Sequence, residues 1–110
     1  MTRQSEPVPR PVRGALSDLG NHFATWRRLR GLTAAQVADR AGVSRGTIHR
    51  LEHGDGASLE NTLRVSRALG VLELFAASID PYRTDVGRLR SQETLPQRVR
   101  PVRGTGDAQR

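Results

Sequence analysis

Residues 33–54 read TAAQVADRAGVSRGTIHRLEHG, and this stretch decides the fold. Thr33 and Gln36 make a capping-box pair, in which each side chain satisfies the other residue's backbone N–H at a helix start. Val37, Ala38 and Ala41 recur at helical spacing, so one face turns inward. Small Ala38 lets another helix cross close by. Gly42 ends the helix and supplies the positive φ of a sharp turn, and Val43 plugs that turn into the core. Ser44 caps a second short helix, 44–53, with Ile48 and Leu51 as its buried residues. Arg45, Gly46, Thr47, His49 and Arg50 are left largely on its other faces. Gly54 ends it.

An earlier helix is expected to begin after Ser17, an N-cap, with Asp18 at its positive end. Leu19, Phe23, Trp26 and either Leu29 or Arg30 form its face, Gly31 closes it, and Leu32 anchors the connection. Downstream, Gly54-Asp55-Gly56 is a loop and Ser58 caps a fourth helix. That helix carries Leu59, Thr62, Leu63, Val65 or Ser66, and Leu69, and Gly70 closes it. A fifth, about 72–79, carries Leu72, Leu74, Phe75 and Ile79 before Asp80-Pro81 stops it. There is no strand pattern. The expected fold class is all-α, a five-helix domain over residues 15–80.

The flanks differ in composition. Residues 1–14 hold three of the six prolines and are expected to be a disordered or extended arm. Residues 81–110 are an arginine-rich tail, also expected to be disordered. All 18 basic residues are arginine, and the net charge is +7. Arginines outnumber acids three to one in residues 1–14, eight to seven in 15–80 and seven to three in 81–110, so the excess charge lies in the tails. The pentapeptide RPVRG occurs at 10–14 and again at 100–104, on either side of the core. The absence of cysteine excludes disulfides, thiolate nucleophiles and thiolate metal sites. There is no signal-peptide pattern and no membrane span, so a soluble, cytoplasmic protein is expected.

A helix, a glycine turn and a capped helix with a polar outer face are the parts of a helix-turn-helix, whose second helix lies in the major groove. RRLRGLTAAQVADRAGVSRGTIHRLEHG, followed by SLENTLRVSRALGV, resembles the phage-repressor or Cro-like (XRE) helix-turn-helix family over about 60 residues. The resemblance implies a transcriptional regulator, a repressor on the main reading, that binds double-stranded DNA as a homodimer without a cofactor. It makes 44–53 the recognition helix. Arg45, Gly46 and Arg50 match base-reading positions, with His49 nearby, and each arginine can donate two hydrogen bonds to guanine N7 and O6. Ser44 and Thr47 suit phosphate, Thr47 also a thymine methyl; Ser44 in addition caps its helix. Thr33 and Gln36 belong to the same DNA-facing set. Arg27 and Glu52 match a pair that braces the first helix against the end of the recognition helix. Three departures bear on DNA contact: Ala34 where the family often has Gln and acidic Asp55 in the loop weaken phosphate contact, and Gly46 has no side chain at a reading position, so that its base goes unread or is approached by backbone. The arginine tails are expected to compensate.

Two catalytic patterns fall inside the same stretch. Gly42-Val43-Ser44-Arg45-Gly46 fits G-x-S-x-G, but a nucleophile elbow needs a preceding strand and an α/β sheet. His49 to His53 fits H-x-x-E-H, but a zinc hydrolase needs a third ligand and a cleft, and Glu52 is better used by Arg27. Neither an enzyme nor a metal site is expected. His49 is read as a DNA-facing polar residue, His53 as a solvated helix end and His22 as exposed. In the tail, Val86, Leu89 and Arg90 fit a short helix ended by Leu95-Pro96. Residues 80–100 resemble the C-terminal extensions of HipB-type antitoxin regulators. That resemblance implies an alternative function, an antitoxin that neutralises a HipA-like kinase toxin through residues 81–100 and autoregulates its operon. Leu72, Leu74, Phe75 and Ile79 are the expected dimer contact.

Overall fold

The structure, a computed structural model, describes residues 6–94 of the 110. Among these the secondary structure is entirely helical: α1 (Arg10–Leu29), α2 (Ala34–Ala41), α3 (Arg45–Glu52), α4 (Leu59–Leu69), α5 (Leu72–Ala77), a 3₁₀ turn at Pro81–Arg83 and α6 (Asp85–Thr94). The chain divides into two compact units after Phe75, within α5.

The helix expected to begin after Ser17 begins at Arg10 instead. Proline is tolerated in a first helical turn, because the N–H it lacks would have no intrahelical partner there. Pro11 occupies such a position, and Pro9 stands outside the helix as its N-cap, with no side-chain cap. Residues 10–14, including the first RPVRG, are therefore helical rather than extended, and Ser17 lies within the helix. The second RPVRG, at 100–104, lies outside the described residues.

The other helix starts follow local chemistry. Thr33 Oγ1 accepts from the Gln36 N–H at 3.1 Å, and Gln36 Oε1 accepts from the Thr33 N–H at 2.8 Å. Ser44 and Ser58 accept from the N–H groups of Thr47 and Asn61, each at 3.0 Å. Gly42 closes α2 in the left-handed region, at φ 71°.

The core of the first unit comprises Phe23, Val37, Ala38, Ala41, Ile48, Leu51, Val65, Leu69 and Val71. Leu19, Trp26, Leu32, Ala34, Val43 and Ala68 pack around it. Val65 and Ser66 are both buried; the Ser66 hydroxyl donates to the Thr62 carbonyl at 2.8 Å, which makes its burial tolerable. Leu59 is 70% exposed, so the apolar face of α4 starts one turn later than its periodicity suggests. Gly20 is buried where α1 crosses the end of α3. A Cβ there would lie 2.5 Å from the Leu51 carbonyl oxygen and 2.6 Å from that of Glu52, so the crossing requires a residue without one.

In the second unit, Asp80 accepts from the Tyr82 N–H at 3.0 Å and caps the 3₁₀ turn. Thr84 Oγ1 accepts from the Gly87 N–H at 2.9 Å and opens α6. Arg88 donates to the Tyr82 carbonyl at 2.7 Å and pairs with Asp85. The described part of the tail expected to be disordered is thus largely helical, and α6 contains the short helix expected at Val86, Leu89 and Arg90. Ile79, Tyr82, Val86 and Leu89 are exposed in this unit.

Candidate nucleic-acid interface

The helix α3 is held on one side only. Thr47, Ile48 and Leu51 are buried, at i, i+1 and i+4, against α1, α2 and α4. Arg45, Gly46, His49 and Arg50 are exposed on the opposite arc. Eight residues make a rod about 12 Å long, and the diameter of an α-helix, about 10–12 Å with side chains, suits the width of a B-DNA major groove.

The exposed arc has two rows. Arg45, His49 and His53 succeed one another at i, i+4 and i+8. The two imidazoles stack with centroids 4.0 Å apart, and His53 Nδ1 donates to the His49 carbonyl at 2.8 Å. Gly46 and Arg50 form the second row. The Arg50 guanidinium runs back over Gly46 toward the helix start, and its Nη2 donates to Thr47 Oγ1 at 3.3 Å.

Thr47 does not join the exposed set. It is only 6% exposed, and its hydroxyl lies 2.9 Å from Ser44 Oγ. Its neighbours Ile48 and Leu51 share its arc, which is why the turn beneath it faces the core. Ser44 remains exposed and serves as the cap of α3. Thr33 and Gln36 are exposed at the start of α2, with Thr33 Oγ1 and Gln36 Oε1 engaged as acceptors in the capping box.

Arg27 and Glu52 meet. Arg27 Nε donates to Glu52 Oε2 at 2.7 Å and Nη2 to Oε1 at 3.1 Å, a bidentate pair. Nη1 also donates to the Leu32 carbonyl at 3.1 Å, so one guanidinium ties α1 to the end of α3 and to the connection before α2. The Glu52 hydrogen bond, helped by the carboxylate's charge and opposed by partial burial, raises the Arg27 pKa above its ordinary value.

A family model for the helix-turn-helix domain matches residues 18–77, more than half of the chain. The chain belongs to the helix-turn-helix domain family. The match is consistent with the phage-repressor-like arrangement, and it identifies a DNA-binding regulator. No curated protein and no solved structure matches the chain.

Within this helix-turn-helix domain, two contributors escape a reading of the sequence. Arg30 sits at a position that periodicity allots to the apolar face. Instead its guanidinium lies 5.1 Å from the centre of the Trp26 ring, and Nε donates to the Leu69 carbonyl at 2.9 Å, satisfying the C-terminus of α4. Leu29 is exposed. Gly20, the crossing point of α1 and α3, carries no periodic signal at all. Ala34 is partly buried against the core, so the start of α2 offers no long side chain there. Among the described residues, no helix is long and apolar enough to cross a membrane.

Proposed function

We propose that the protein is a sequence-specific, double-stranded DNA-binding transcriptional repressor that reads the major groove with α3. The observation that carries this is the division of α3: Ile48 and Leu51 buried, Arg45 and Arg50 exposed on the opposite arc. Arginine is suited to guanine, whose N7 and O6 accept a bidentate pair. Ser44 and the capped start of α2, with Thr33 and Gln36, lie at helix N-termini, where N–H groups and the helix dipole favour phosphate. Repression by occupancy requires only that the domain hold its site on the DNA. The test is selection of bound sequences from a randomised duplex pool, followed by a promoter-reporter assay for the sign. Recovery of no preferred sequence overturns the reading.

The proposal includes a homodimer on two half-sites one DNA turn apart. Exposed Leu74 and Ile79, the latter 87% exposed, support a contact through this stretch. Phase is divided there, since Phe75 packs edge-on against Phe23 with centroids 6.1 Å apart and so serves the core. Sedimentation at micromolar protein separates monomer from dimer.

A second reading keeps the DNA-binding role and adds a toxin partner engaged by residues 81–100. Exposed Tyr82, Val86 and Leu89 favour it, since an apolar set on a short helical unit suits a protein partner. Residues 95–100 of that segment lie outside the described residues. A kinase-like toxin encoded beside this gene, and its capture by the full chain but not by one lacking 81–110, would support the antitoxin function.

A further inference from the structure

The absence of a side chain at residue 46 has a structural counterpart in Arg50. In a helix, a side chain leans toward the N-terminus and covers the residue four positions earlier. Arg50 does this over Gly46. A Cβ built on Gly46 would lie 3.3 Å from Arg50 Nη1, tighter than ordinary contact, and 3.7 Å from Ser44 Oγ. The space a side chain would fill at residue 46 is where the guanidinium rests.

Below it lies a short hydrogen-bonded chain. Arg50 Nη2 donates to Thr47 Oγ1 at 3.3 Å, the Thr47 and Ser44 hydroxyls lie 2.9 Å apart, and Ser44 Oγ accepts from the Thr47 N–H at 3.0 Å. Thr47 is buried and Ser44 is the helix cap, so the acceptor that Arg50 meets is set by the backbone of α3 itself. A guanidinium has five N–H donors. One contact with Thr47 leaves others for a ligand, and the group sits over the N-terminal turn, the part of a recognition helix that approaches base edges.

We infer that Gly46 and Thr47 are positioning residues that set the base preference of Arg50, with Gly46 providing the room and Thr47 the acceptor that orient its guanidinium toward a guanine edge. This rests on the reading of α3 as the major-groove helix. It converts an apparent gap at residue 46 into a requirement. Restricting a long side chain before the ligand arrives favours one bound geometry over others.

The experiment is selection of bound DNA from a randomised duplex pool, using the full chain and its Arg50→Ala, Gly46→Ala, Gly46→Val, Thr47→Val and Thr47→Ser variants. Arg50→Ala should erase the preference at one position of each half-site. Gly46→Ala and Thr47→Val should weaken discrimination at that same position by about fivefold, the worth of one hydrogen bond. Gly46→Val should weaken it further, and Thr47→Ser, which keeps the hydroxyl, should retain it. The remaining positions should be unchanged. Alanine is a better helix former than glycine, so Gly46→Ala decides the matter even if Thr47→Val does not fold. Unchanged preference in Gly46→Ala and Gly46→Val, at a position that Arg50→Ala erases, overturns the inference and leaves the major-groove reading intact. No positional effect of Arg50→Ala overturns both.

Discussion

Arg27 and Glu52, 25 residues apart in the chain, form a two-pronged ion pair at 2.7 and 3.1 Å that joins α1 to the last residue of α3. Their side chains are 19% and 13% exposed, so the pair is largely withdrawn from water. Removing one partner leaves a poorly solvated charge behind. Arg27→Ala or Glu52→Ala should each lower stability by about 2–3 kcal/mol, near the lower end for breaking a buried pair. The raised Arg27 pKa adds stability that is fully present below the unfolded-state value and lost only as pH rises through the folded one. Arg27 therefore stays charged at neutral pH. Urea melts of the two single variants and the double variant measure the coupling; additive losses would show that the pair is not coupled.

Gly20 tests the crossing that this pair secures. A methyl at residue 20 would press on the carbonyl oxygens of Leu51 and Glu52 at 2.5 and 2.6 Å, and backbone atoms cannot swing aside. Gly20→Ala should cost about 1–3 kcal/mol through overpacking. This is opposite in sign to what helix propensity alone predicts for glycine to alanine. A stabilised variant in thermal melting would show that α1 and α3 do not approach this closely.

At the start of α3, Ser44→Ala removes the cap of the Thr47 N–H and the partner of the Thr47 hydroxyl. Loss of about 1 kcal/mol is expected. Ser44→Asp should restore the cap while placing a negative charge at the interface. Stability and DNA affinity should therefore part company in this variant, with melting recovered and binding weakened. Recovery of both would remove Ser44 from the phosphate-contacting set.

Arg45→Ala and Arg50→Ala should each cost about 1–3 kcal/mol on the preferred site and relax the preference at the base they read. Equal losses on preferred and random DNA would make them phosphate contacts instead. Competition binding with both DNAs gives the answer.

Residues 95–110 carry four arginines and one aspartate. Each phosphate they neutralise should add about 0.9 to the slope of log affinity against log salt. Deleting them should flatten the slope without altering sequence preference. An unchanged slope dismisses this segment as a DNA-contacting arm.

Much of the fold was legible because its signals act within four residues. Thr33 with Gln36, Ser44 with Thr47 and Ser58 with Asn61 are local hydrogen bonds, and Gly42 and Gly70 stop helices by their own backbone freedom. The start of α1 is equally local, but proline has two readings: Pro11 would block a helix interior, yet it sits comfortably in a first turn. The exposed arginines of α3 followed from the period of Ile48 and Leu51.

The sequence by itself determined the order of the first five helices, most of their caps, and the polar arc of α3 that marks the candidate interface. Its short-range hydrogen bonds and apolar spacing suffice for that. Tertiary structure decided the rest, because it depends on which surfaces meet. The packing of α1, α2 and α4 around α3 turned Thr47 inward. The crossing at Gly20 brought Glu52 to Arg27, and the end of α4 recruited Arg30 from an apolar face. No spacing along the chain encodes these relationships, since each arises only when two helices close on one another and a buried carbonyl, carboxylate or hydroxyl must find a partner.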